Sequence, residues 1–248
     1  MPNWVANRIR FSGNRNNIVS VLKLVIVGKE FLKSIKKNEF NLCKHVQSHK
    51  SYNDSDRKAC ENCEHGKFCP LLSPKGSDVS EWEMAKVNEY GLHRNHLKEG
   101  DVYFGILIPQ PRGMFQGGTN DDIAKRNLRF DILDWYDWNI ENWGTKWNPS
   151  RDETTFEWLD ENTAQLCFWT ANSFPEPWLA KLAKECKKHN VEIEGEFADE
   201  DFGGNMGEFR TPCDEDGDII VSYDSMNQEL YERCWEEGSF DSCDEDDE

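Results

Sequence analysis

Asn142-Trp143-Gly144-Thr145-Lys146-Trp147-Asn148 is the stretch whose reading decides the fold. Each of its two indoles can bury roughly 150 to 250 Å². In an extended segment residues four apart share a face, so both rings are expected to point into one layer. Gly144 between them permits close backbone approach or an unusual dihedral. The stretch therefore reads as the aromatic hub of the core, with a catalytic pocket as the competing reading.

Upstream, Thr119 or Asn120 caps a helix with Asp121 and Asp122 in its first turn, where the dipole favours acids. That helix is expected to run to about Asn139 and deliver the chain into the hub. Downstream, Thr154 to Leu159, the turn Asp160-Glu161-Asn162 and Thr163 to Thr170 read as a hairpin. In its second strand Ala164, Leu166 and Phe168 alternate with Gln165, Cys167 and Trp169. Ser173 and Glu176 match the S-x-x-E capping box, and Trp178, Leu182 and Cys186 trace the apolar stripe of the helix that follows.

The N-terminal end has the same character. Trp4 to Ser12 alternates as a half-buried strand, with Val5, Ile9 and Phe11 on one face and Arg8 and Arg10 on the other. Ile18, Val21, Leu22 and Val25 follow at helical spacing and stop before Gly28, a suitable C-terminal cap. Val102 to Ile108 is an apolar run that turns out at Pro109. Val191, Ile193 and Phe197 make a further strand, a loop holds Gly203, Gly204 and Gly207, and Asp218 to Tyr223 is a last short strand. Residues 1–28 and 101–225 thus form an α+β core around an insertion at 29–100, with an acidic C-terminal helix and tail at 226–248.

The chain of 248 residues has 29 Lys and Arg against 47 Asp and Glu, a formal net charge of −18. The imbalance is local, because residues 192–248 hold 22 acids against two arginines. Such a segment repels phosphate and steers toward basic protein surfaces. The acids singled out for binding are Asp199, Glu200, Asp201, Asp214, Glu215, Asp216 and Asp218. Asp214-Glu215-Asp216-Gly217-Asp218 has the opening of a calcium loop, but Ser225 stands where the distal Glu belongs, so a turn at Gly217 is expected. No apolar run is long enough for a membrane span. Met1-Pro2-Asn3-Trp4 lacks the start of a signal peptide, so a cytoplasmic protein is expected.

Within the polar, Lys-rich insertion, Cys43, Cys60, Cys63 and Cys69 are spaced C-x16-C-x2-C-x5-C, with His45, His49 and His65 among them. A C-x2-C turn lets two thiolates grip one tetrahedral zinc. Such a segment buries little core, and zinc supplies roughly 10 to 16 kcal/mol of apparent folding free energy. A structural zinc held by four Cys is expected, with three Cys and one His as the alternative.

Met1-Pro2-Asn3-Trp4-Val5 with Asn7, then Asn142 to Asn148, Phe168 to Ala171 leading into Pro175 and Pro177, and Glu196 with Phe202-Gly203-Gly204 resemble the YubB ferredoxin-like family of bacteriophages and plasmids. The resemblance implies a ferredoxin-like antiparallel sheet with helices on one face, in a mobile-element protein. It brings no catalytic residues with it. The Cys-rich insertion and acidic end depart from the family pattern.

No G-x-S-x-G, P-loop or H-E-x-x-H motif is present. Glu196 and Glu208 beside the glycine loop are the acid–base candidates of an enzyme reading, which the sequence does not favour. The expected function is protein binding by a phage or plasmid accessory factor. Its partner would be a host protein with a basic surface, such as an anti-CRISPR or anti-restriction target whose nucleic acid the acidic quarter imitates. The alternative is RNA or DNA binding by exposed aromatics of the sheet and the zinc insertion.

Overall fold

β1 (Trp4–Gly13) is the strand on which the others are assembled. Its alternation of apolar and polar residues gives it two distinct faces, and both edges are paired, with β3 (Thr163–Ala171) and with β4 (Val191–Asp199), each antiparallel. β2 (Thr155–Trp158) extends the sheet beyond β3, while β5 (Gly207–Arg210) and β6 (Ile220–Tyr223) extend it beyond β4. The result is a six-stranded antiparallel sheet in the order β2-β3-β1-β4-β5-β6, and the fold is α+β. The computed structural model describes residues 3–33, 97–110, 134–150, 153–211 and 219–235. Outside them lie Cys43, Cys60, Cys63 and Cys69, the start of the helix expected from Thr119 or Asn120, the turn at Gly217, and residues 236–248.

By its contacts the chain divides into two units: Met1–Ile26, Gly100–Ile108 and Asn139–Glu248 in one, Val27–Glu99 and Pro109–Trp138 in the other. The whole sheet belongs to the first. The described part of the second includes surface ion pairs from Lys29 to Glu99 at 3.8 Å and from Lys33 to Glu30 at 2.7 Å.

α1 (Arg15–Leu22) and α3 (Glu176–Lys188) touch each other and cover the sheet face that carries Val5, Ile9, Phe11, Leu166, Phe168, Ile193 and Phe197, all of them buried. α1 starts at Asn14, whose side chain accepts from the Asn16 N–H at 3.0 Å. It ends at Lys23 rather than near Gly28; Val25 is buried from the turn that follows, and Ile26 bridges Val102. α3 starts without the expected capping box. Pro175 is its N-cap and Ser173 lies two residues too early, and the Ser173 hydroxyl donates to the Gly144 carbonyl instead.

The opening stretch has a different geometry from the one expected. α2 (Trp135–Trp143) continues past Asn139, and Trp143 is its last residue. Gly144, at φ +80°, closes the helix by donating to the Asn139 and Ile140 carbonyls, both at 3.1 Å, as a left-handed glycine cap does. The two indoles consequently part company. Trp143 is 1% exposed and donates from Nε1 to the Ile108 carbonyl at 3.0 Å. Trp147 stays half-buried under the Lys146 ammonium, 4.5 Å from its ring centroid. The polar residues of the stretch fix the loop. Asn139 donates to the Lys146 carbonyl, the Thr145 hydroxyl to the Trp147 carbonyl, and the Phe104 N–H to Asn148 Oδ1, at 2.8, 2.8 and 2.9 Å. These bonds hold Trp143 against Phe104, which also packs 4.3 Å from Trp178 and 5.9 Å from Phe168, centroid to centroid. The hub is thus an aromatic cluster drawn from four separate segments.

Candidate binding surface

The second face of the sheet carries Ala6, Arg8, Arg10, Cys167, Trp169, Glu194, Glu196 and Ala198, by the alternation of β1, β3 and β4. α4 (Gln228–Trp235) packs there, opposite α1 and α3, so helices occupy both faces rather than one. Asn227 caps α4, accepting from the Leu230 N–H at 3.0 Å. Leu230 and Cys234, four apart, pack on Ala6, Ala198 and Met206. The Trp235 ring lies 4.9 Å from that of Trp169.

Arg233 clamps the helix to the sheet. Its guanidinium reaches Glu196 at 2.9 Å, Glu208 at 3.4 Å and Glu229 at 3.4 Å. The Glu196 hydrogen bond is the main reason its pKa rises above the ordinary value. The two glutamates that sequence reading would have offered as acid–base groups are therefore partners of this arginine. Burial pushes the Cys186 and Cys234 thiols up to about 12. At pH 8 only about one in 10⁴ would be thiolate, so neither should react with iodoacetamide in the native chain, whereas both should after urea unfolding; mass mapping of the adducts checks this. The unfolded thiols lose their protons first, so stability should fall as pH rises above about 9.

At one end of α4 two loops adjoin. Between β4 and β5, Asp199 Oδ1 accepts from the Asp201 N–H at 3.0 Å, the Gly204 N–H donates to the Asp201 carbonyl at 2.9 Å, and Gly203 takes φ +85°. Between β6 and α4, the Asp224 N–H donates to the Met206 carbonyl at 3.1 Å, and Asp224 Oδ2 accepts from Asn227 at 3.1 Å. Tyr231 ties the helix to the first loop through its hydroxyl, 2.9 Å from the Glu200 carbonyl.

The surface so formed is both acidic and apolar. Phe202, 44% exposed, stands edge-on to Tyr231, and Met226 is 77% exposed on the adjoining turn. Exposed Glu200 and Asp201 precede Phe202 in the chain, and exposed Asp224 lies two residues before Met226. Single exposed apolar residues are ordinary, but two on adjoining hydrogen-bonded turns beside carboxylates have the make-up of a docking site, apolar anchors with charge next to them.

Of the acids predicted from sequence, Glu200 and Asp201 are brought together here. Asp199 is not, because it is buried and its carboxylate is used within the turn. Asp214, Glu215, Asp216 and Asp218 lie outside the described residues. Sequence reading missed Asp224, Phe202, Met226 and Tyr231; the signal was Asn227 followed by Leu230 and Cys234, a cap and an inward stripe that mark where α4 docks. Among the described residues no group of three or more His, Cys, Asp or Glu is placed to hold a metal ion, and no helix is long and apolar enough to cross a membrane.

No family model matches the chain, and no curated protein does. Among solved structures, it is similar to the crystal structure of a protein api92 from Yersinia pseudotuberculosis, described under the family DUF1281, with a TM-score of 0.47 and 11% identity over 90% of this chain and 99% of that one.

Proposed function

We propose that this chain is a protein-binding accessory factor of a phage or plasmid, working in the cytoplasm of the bacterial host without catalysing a reaction. In this reading it is a counter-defence inhibitor whose acidic surface imitates nucleic acid before a basic host protein, such as a CRISPR or restriction complex. The observation that carries it is the pair of adjoining turns on which exposed Glu200, Asp201 and Asp224 flank exposed Phe202 and Met226. The ferredoxin-like assignment is supported by the order β2-β3-β1-β4, in which each half of the core contributes a strand–helix–strand crossover. Nucleic-acid binding through the sheet ranks second, because Trp169, an aromatic on the second face, is packed against Trp235.

A pull-down from the bacterial host tests the reading. A partner recovered with the full chain should bind at least about tenfold more weakly to a variant combining Phe202→Ala, Met226→Ala, Glu200→Lys and Asp201→Lys, the loss of one or two hot-spot contacts. Its binding should also weaken with salt. Equal recovery by wild type and variant would overturn the proposal. For the insertion, Cys43, Cys60, Cys63 and Cys69 are assigned as ligands of a structural zinc on their spacing. Their thiols should resist alkylation until a chelator is added, with one zinc released per chain; reactive thiols and no metal would remove zinc from the scheme.

A further inference from the structure

The sheet ends on β6, and the outer edge of that strand is open. The Asp224 N–H donates to the Met206 carbonyl and Tyr223 stands opposite Gly207, so the hydrogen-bonded pairs of the β5–β6 ladder are Glu208 with Ser222 and Arg210 with Ile220. The N–H and C=O groups of Val221 and Tyr223 therefore point away from β5, in the plane of the sheet. Among the described residues none bonds to these four groups. The strand is also within reach of solvent, with Ile220 48% and Tyr223 60% exposed and Ser222 exposed between them.

Edge strands are ordinarily blunted by a charged residue, a proline or a bulge. β2, at the other end of the sheet, carries Glu157 in its middle. β6 reads Ile220-Val221-Ser222-Tyr223, a β-prone sequence with no charge and no proline, and its register with β5 is unbroken. Such an edge accepts a further extended chain. The charges around it decide which. Asp224 follows the strand, Glu176 accepts from the Tyr223 hydroxyl at 3.4 Å, and Glu208, itself paired with Arg233, stands opposite Ser222. Against them stands Arg210, opposite Ile220. In sequence, the connection from β5 to β6 adds Asp214, Glu215, Asp216 and Asp218 and no Lys or Arg. A second copy of the chain would set acids against acids, each copy carrying a formal charge of −18, whereas a basic segment complements them.

We propose that β6 is a docking edge that takes an extended, Lys- or Arg-bearing segment of a partner protein as a further strand of the sheet. The main-chain groups of Val221 and Tyr223 supply the grip, and the acids about the strand select a basic sequence. The proposal rests on the docking reading above, because Asp224 and Met226 follow β6 directly in the chain. It adds the form in which the partner binds, a strand laid along the edge.

The test is amide hydrogen exchange of the full chain, read by NMR. The probe is the peptide Lys-Val-Lys-Val-Lys-Val-Lys, and the control is the same peptide with every backbone amide N-methylated, which keeps the charge but cannot pair as a strand. In the free chain the Val221 and Tyr223 amides should exchange faster than those of Ile220 and Ser222, which are bonded to β5. The probe should slow Val221 and Tyr223 at least about tenfold, and the control should not. Val221→Pro removes an N–H that faces outward, so it should keep the unfolding midpoint while weakening probe binding at least about tenfold. Amides of Val221 and Tyr223 that are already slow in the free chain, that ignore the probe, or that respond equally to the control would overturn the proposal, whether or not the proline variant folds. The combined Phe202→Ala, Met226→Ala, Glu200→Lys and Asp201→Lys variant keeps β6 and should still take the probe. A pull-down partner lost by that variant but held by Val221→Pro would overturn the edge proposal alone. A partner held by the combined variant but lost by Val221→Pro would overturn the Phe202 and Met226 surface and support the edge.

Discussion

Trp143→Ala is expected to cost about 3 to 5 kcal/mol of folding stability, the range for deleting a large aromatic from a packed core. The side chain is 1% exposed and touches Phe104, which in turn packs on Phe168 and Trp178. Little of the resulting cavity can collapse, because α2 ends at this residue and Gly144 is fixed to the Asn139 and Ile140 carbonyls. The substitution also leaves the Ile108 carbonyl without the indole N–H, a further loss of about 1 to 3 kcal/mol where no water can replace it. Trp143→Phe separates the two parts, since it keeps most of the ring contact and removes only the donor and some volume. Urea unfolding followed by fluorescence and circular dichroism measures both. A loss below about 1 kcal/mol for the alanine variant would mean that Trp143 is not the centre of the core.

The importance of Trp143 is visible in the sequence, but its geometry is not. Period-two alternation placed Trp4 to Ser12, the hairpin from Thr154 to Thr170 and the strand through Val191, Ile193 and Phe197 close to where they lie, because β1, β3 and β4 each turn one set of alternate side chains into the main core. The same reasoning put Trp143 and Trp147 on one face of an extended segment, whereas a helix end separates them. Four apart suits either geometry, and what decides is Gly144 at φ +80° with α3 behind it: a β-carbon there would be 2.6 Å from Pro177 Cδ. That neighbour is distant in sequence. β5 was hidden for a related reason, being four residues long and directly after a glycine-rich turn.

The candidate surface was less legible still. Charge density pointed to the segment beginning at residue 192, where Glu200 and Asp201 are exposed. Charge density cannot separate a carboxylate used by its own turn, as at Asp199, from one facing solvent. Nor can it bring Phe202 beside Tyr231, a contact that depends on α4 crossing the sheet.

Gly195→Ala should be more disruptive than a single added methyl suggests, with an expected loss of about 3 kcal/mol or more, the upper end of overpacking. Gly195 has no positive φ, so conformational freedom is not the reason. Space is: a β-carbon would stand 2.1 Å from the Arg8 carbonyl oxygen and 2.7 Å from Phe209 Cε1. Phe209 could swing aside, but the Arg8 carbonyl belongs to the backbone of the central strand, so β4 would have to move away from β1. Gly195 is flanked by Glu194 and Glu196, and that movement would draw Glu194 from Arg10 and Glu196 from Arg233, loosening α4 as well as the sheet. The expected result is therefore a lower urea midpoint together with faster proteolysis within residues 228–235. Gly28→Ala is the control: its β-carbon meets nothing within 4 Å among the described residues, and its effect should stay within about 0.5 kcal/mol. If Gly195→Ala kept the wild-type midpoint, β1 and β4 could not be as close as their register requires, and the packing of α4 over them would lose its foundation.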